Sequence, residues 1–63
     1  GLFEETVSTC QNLLKTYPKA ANIHKILGIA YGELGKKSQA ITELNKAKEL
    51  GDSNAETFLQ KYK

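Results

Sequence analysis

His24 and Cys10 are the only histidine and the only cysteine in this chain, and they are the side chains best suited to nucleophilic or metal chemistry. Zinc sites take three or four protein ligands, so this pair cannot make one, and a single Cys closes no disulfide within the chain. A nucleophilic Cys10 would want a base nearby; instead it falls on an apolar helical face with Phe3, Val7, Leu13 and Leu14, where a core role is expected. His24 could titrate or ligate, but its position on a flank turned toward another helix predicts a packed substitute for an aromatic. Glu4 and Glu5 are adjacent carboxylates at a helix start, where the macrodipole favours negative charge without any acid-base role. Tyr31, Phe58 and Tyr62 could stack on bases, and core and cap packing is the expectation instead. Lys36-Lys37 reads as a solvated loop tip. No phosphate-cradling Gly loop, metal-ligand cluster or nucleophile-base arrangement is present, so neither catalysis nor a cofactor is expected.

Size and charge narrow the partners. The chain has 63 residues, 40% of them hydrophobic, with a formal net charge of +2 carried by nine lysines that are spread along the sequence. Without an Arg or a basic stripe, nucleic acid is an unexpected partner. No apolar run approaches the roughly 18 residues of a membrane span, and Gly1-Leu2-Phe3-Glu4-Glu5 is no signal-peptide start, so a soluble chain is expected. A lone free thiol fits a reducing compartment such as the cytoplasm. Area scaling gives a folded surface of roughly 4,000 Å², which leaves burial and ordering entropy nearly balanced. Regular helix packing, or a neighbour outside the chain, must supply the stability.

Helices must do the positioning. Pro18, Gly35 and Gly51 divide the sequence into four segments rich in Leu, Ala, Lys, Glu and Gln, none alternating with period two. They predict helices over about 3-16, 20-34, 38-50 and 54-62. The two glycines suit left-handed positions just past a last helical turn, and Pro18 turns Tyr17 away from helix. Ser53 with Glu56 resembles a capping box at the fourth helix. Ile23, Ile26, Leu27, Ala30, Tyr31 and Leu34 form a core stripe on the second helix. His24, Gly28 and Tyr31 lie on one flank of it; Asn22, Lys25, Ile29 and Glu33 lie on the other, beyond Ile26. Ala40, Ile41, Leu44 and Ala47 make a narrower face on the third helix. Loops of three or four residues force antiparallel hairpins, and Gly28 in mid-helix implies that another helix crosses there.

An offset of 34 residues matches Val7 with Ile41, Ser8 with Thr42, Gln11 with Asn45 and Ala21 with Ala55 in character. With His24, Leu27, Gly28, Tyr31, Ala40, Leu44, Ala47 and Asp52 at the signature positions, the chain resembles the tetratricopeptide repeat family. The resemblance implies one all-α domain over 1-63, its antiparallel hairpins stacked as a short right-handed α-solenoid. Residues 3-20 would be the second helix of a preceding repeat, 21-54 a full repeat, and 55-63 a following or capping helix. The sequence departs from the family pattern at His24 for Trp, Leu44 for Phe and Asp52 for Pro. It departs again at Lys61-Tyr62 for Leu-Gly, which favours a cap.

In this family the first helix of each hairpin lines a concave groove that holds a peptide or a partner helix. Carried over, the groove residues would be Asn22, Lys25, Ile26, Ile29 and Glu33, joined by Glu56, Leu59 and Gln60. Ile29, Glu56 and Gln60 stand where a carboxylate clamp would want Asn and basic side chains, so no such clamp is expected. The expected function is non-catalytic binding of another protein or peptide. The alternative is structural: a piece of a longer solenoid, or a homo-oligomer, with the apolar face of Val7, Cys10 and Leu13 left bare for a neighbour.

Overall fold

Every stretch between the breakers is helical in the computed structural model, which describes all residues 1-63. Helix α1 spans Leu2–Thr16, α2 Ala21–Glu33, α3 Lys37–Glu49 and α4 Ala55–Tyr62, with no strand. Each end lies within one residue of its expected place. Pro18 leaves Tyr17 at φ −124°, outside the helical region. Gly35 and Gly51 take φ of 79° and 105°. At the first, Gly35 N–H donates to Gly32 C=O and Lys36 N–H to Tyr31 C=O; at the second, Gly51 N–H donates to Lys48 C=O and Asp52 N–H to Ala47 C=O. Both are Schellman endings, in which glycine's left-handed backbone folds two amides back onto orphan carbonyls.

Helix starts are a correction. No helix carries a side-chain N-cap bond. The Ser53/Glu56 capping box does not form; Asp52 Oδ1 instead accepts from Asn54 N–H at 2.8 Å, and Glu56 turns outward to Lys48 and Gln60. An aspartate two residues ahead closes a local turn that competes with the capping box. That connection therefore runs five residues, 50-54, against four at 17-20 and three at 34-36. Lys37 opens α3 rather than sitting in a loop tip.

Consecutive helices pack as hairpins: α1 on α2, α2 on α3, α3 on α4, with α2 also touching α4. Helix α2 thus has three neighbours. Ala40, Leu44 and Ala47 of α3 are fully buried, and Leu27, Gly28 and Ala30 of α2 and Ala55 and Leu59 of α4 are buried with them. Small residues on α3 let the backbones approach, and α3 crosses α2 at Gly28, whose missing Cβ would meet Leu44 and the Ala40 carbonyl. Toward α1 the core continues through a cluster of Cys10, Leu27, Tyr31 and Ala40, with Val7, Leu14, Ile23 and Tyr62 packed around it. The accessible surface is 3974 Å², as the chain length implies.

The bare face expected along Val7, Cys10 and Leu13 is different in composition. Cys10 is only 4% exposed and Val7 is half-buried, because α2 covers both. Leu13 is exposed, together with Leu2, Phe3 and Tyr17. At about 100° per residue, Leu13 stands about 60° round from Cys10, on the side away from Val7 and Leu14. It therefore misses the seam.

Candidate functional site

The flank between α2 and α4 collects the residues expected to line a groove, and contacts between the two helices fix its geometry. Lys25, in the first turns of α2, pairs with Asp52 just before α4, Nζ to Oδ2 at 3.4 Å. Glu33, at the end of α2, accepts from Lys61 Nζ at 3.2 Å and from Tyr62 O–H at 3.0 Å, at the end of α4. Start meets start and end meets end, so α2 and α4 run parallel. Tyr62 O–H also lies 3.5 Å from the Ile29 carbonyl. The flank is tied at both ends.

Between the ties, Asn22 is exposed, Ile26 is 41% exposed and Ile29 is half-buried. Leu59 departs from expectation. It is 1% exposed, on the buried face of α4, and presents nothing to a partner. The fourth helix turns Leu59 inward because Ala55 and Leu59, four residues apart, form its single buried edge. Glu56 and Gln60 lie on the outer side and bond to each other, Nε2 to Oε2 at 2.7 Å, while Glu56 also pairs with Lys48.

Every charge on this flank is internally matched. Lys61's hydrogen bond, seconded by Tyr62's, holds the Glu33 carboxyl below the usual carboxylate range, and Glu33 in turn raises Lys61. Burial first, then the Glu33 bond, pushes the Tyr62 phenol up. Lys48, then Gln60, lowers the Glu56 carboxyl. The Glu33 bonds are complete above the ordinary carboxylate range and weaken as acid protonates Glu33. What the flank offers a ligand is the apolar Ile26 edge and the Asn22 amide.

Asp52, Lys61 and Tyr62 are absent from the expected site, yet they shape it. Gly32 is the signal for Tyr62: a Cβ at Gly32 would overlap the Tyr62 ring carbons, so this glycine in the last turn of α2 is the seat of the ring. Gly32→Ala is expected to swing the ring away and free the end of α4. The propensity gain in this last turn, at most about 1 kcal/mol, offsets much of about 1 kcal/mol of lost hydrogen bonding, so the melting temperature should fall by a few degrees at most. Amide exchange in the last turn of α4 should rise about 5-fold, and an unchanged rate would show that Tyr62 does not anchor it.

Cys10 is buried and its thiol is pushed up by that burial, the reverse of an activated nucleophile. Glu4 pairs with the Gly1 amino group at 3.0 Å, and that contact lowers its carboxyl. Tyr31 is buried with its hydroxyl accepting from Gln11 Nε2 at 3.1 Å. A shallow depression lined by Tyr31, Ser38, Gln39, Thr42 and Glu43 shares no residue with the α2–α4 flank. No helix is long and apolar enough to cross a membrane.

Fold and flank define an all-helical protein of stacked antiparallel hairpins. Comparison with protein-family models, curated proteins and solved structures finds no match.

Proposed function

We propose that the chain is a non-catalytic interaction module of the tetratricopeptide type, holding a peptide or helix of another protein along the α2–α4 flank. The observation that carries this reading is Ile26: an aliphatic side chain, 41% exposed, on a helix face whose charged neighbours are already paired. Ile26 and the edge of Ile29 would bury an apolar partner side chain, and Asn22 would fix direction by hydrogen bonding. Lys25 contributes by holding Asp52 and the α3–α4 turn in place. An extended or helical segment with one apolar anchor and little charge suits this surface, since the paired lysines and glutamates offer a charged ligand no free partner.

Ile26→Glu with Asn22→Ala is expected to reduce capture of bound proteins from a cell lysate at least 10-fold while leaving the melting temperature within a few degrees, as both side chains are exposed. Undiminished capture would remove the flank from consideration. The exposed Leu2, Phe3, Leu13 and Tyr17 on α1 favour a second reading, a self-associating or structural unit. Sedimentation at several concentrations separates the two, because only self-association makes the apparent mass rise with concentration.

A further inference from the structure

His24 is 6% exposed, and both ring nitrogens face acceptors. Nδ1 lies 2.8 Å from Glu43 Oε1 on α3, and Nε2 lies 2.9 Å from the Pro18 carbonyl in the turn between α1 and α2. A neutral imidazole has one N–H. With an ionised Glu43, a neutral ring would satisfy one contact and set a lone pair against an oxygen at the other. The geometry therefore calls for one proton more than neutral histidine and free glutamate carry, so that both nitrogens donate.

We propose that His24 is a proton-dependent latch: as imidazolium it ties the Tyr17–Ala20 turn, and with it α1, to α3, and loss of its proton releases the Pro18 carbonyl. The released contact is the one to Pro18, because a neutral ring keeps the stronger bond to the charged carboxylate. Other groups around the ring do not supply the proton. From α1 the one buried titratable side chain is Cys10, and on α2 Tyr31 is engaged with Gln11; the charged groups of α4 lie across α2 on the other flank, where Lys61 and Tyr62 engage Glu33. On α3, Glu43 alone pairs with the ring, its side chain 23% exposed.

The sign follows from proton counting. At pH 5.5 the unfolded histidine is charged too, so the latch contributes in full. As pH rises toward 8.5 the unfolded chain gives up the proton that the latch needs, and stability falls. The melting temperature of the 63-residue chain is expected to drop by roughly 4 to 8 °C across that range. Corrected for the base-catalysed rate, protection of the Ala20 and Ile23 amides, which donate to the Tyr17 and Ala20 carbonyls, should fall before protection in α3 does. In Glu43→Gln the side-chain amide can donate to Nδ1, leaving a neutral ring to donate from Nε2. Both contacts then persist without the extra proton, and the pH slope should vanish. Nitrogen-15 spectra of the wild-type imidazole at pH 7, where an unperturbed histidine is mostly neutral, are expected to show both nitrogens protonated, a readout that holds even where the variant fails to fold. A single protonated nitrogen at that pH, a flat wild-type profile, or a slope retained in a folded Glu43→Gln would each overturn the latch.

Discussion

Leu44→Ala is expected to lower stability by about 3 kcal/mol and to leave little folded protein at 37 °C. Leu44 has no exposed surface and lies on α3, the helix that packs against both α2 and α4. Its neighbours one turn away on α3 are Ala40 and Ala47, which have no atoms to spare for the vacated space. Facing it on α2 is Gly28, also without a side chain. A site surrounded by small residues collapses poorly, so the cavity term adds to the lost transfer energy. For a domain this size, 3 kcal/mol corresponds to a fall in melting temperature of about 12 to 24 °C. Thermal unfolding followed by circular dichroism measures this directly, with Leu13→Ala as the control: Leu13 is exposed, and its truncation should cost under about 1 kcal/mol. Equal shifts in the two variants would mean that Leu44 is not at the centre of the core.

The contrast between Leu44 and Leu13 marks what is legible in the residues alone. Helix ends are legible because their causes are local: Pro18, Gly35 and Gly51 each act on the backbone within a few positions, and all four helices fall where they require. The Gly28 crossing is legible too, since a buried mid-helix glycine has a steric reason. Side-chain partners are less so. Leu13 and Cys10 belong to one apolar stretch, yet about 60° of helix rotation sends one outward and the other under α2. Leu59 resembles a groove residue when its helix is phased against the family pattern; the pairing of Ala55 with Leu59 turns it inward. His24 fits the place of an aromatic, and its burial agrees with that, but its two hydrogen bonds reach Pro18, six positions back, and Glu43, nineteen positions ahead. Spacing along one helix cannot display a contact that depends on how two helices are rotated against each other. The same limit hides Tyr62, whose seat at Gly32 lies thirty positions away.

Gly28→Val should be about as costly as Leu44→Ala, roughly 3 kcal/mol, for the opposite reason. A Cβ at position 28 would lie 2.7 Å from Leu44 Cγ, 3.2 Å from Leu44 Cδ2 and 3.1 Å from the Ala40 carbonyl oxygen. The carbonyl belongs to the α3 backbone, and Leu44 Cγ is a branch point held by a fully buried side chain, so neither yields without moving the helix. Gly28→Ala gains about 1 kcal/mol of helix propensity but meets the same atoms, and its net effect should be a loss of about 1 to 2 kcal/mol. Valine adds two γ carbons to that crowding. The two sites are in direct contact, so their effects should not add. With Leu44 cut to Ala, the methyl group that Gly28→Ala introduces meets only the Ala40 carbonyl, and in that background the substitution should cost at least about 1 kcal/mol less than it does in the wild type. Unfolding of the four proteins of this cycle, followed in an osmolyte that keeps the weakest of them folded, gives the coupling energy. Additive effects would mean that α3 crosses α2 somewhere other than at Gly28 and Leu44.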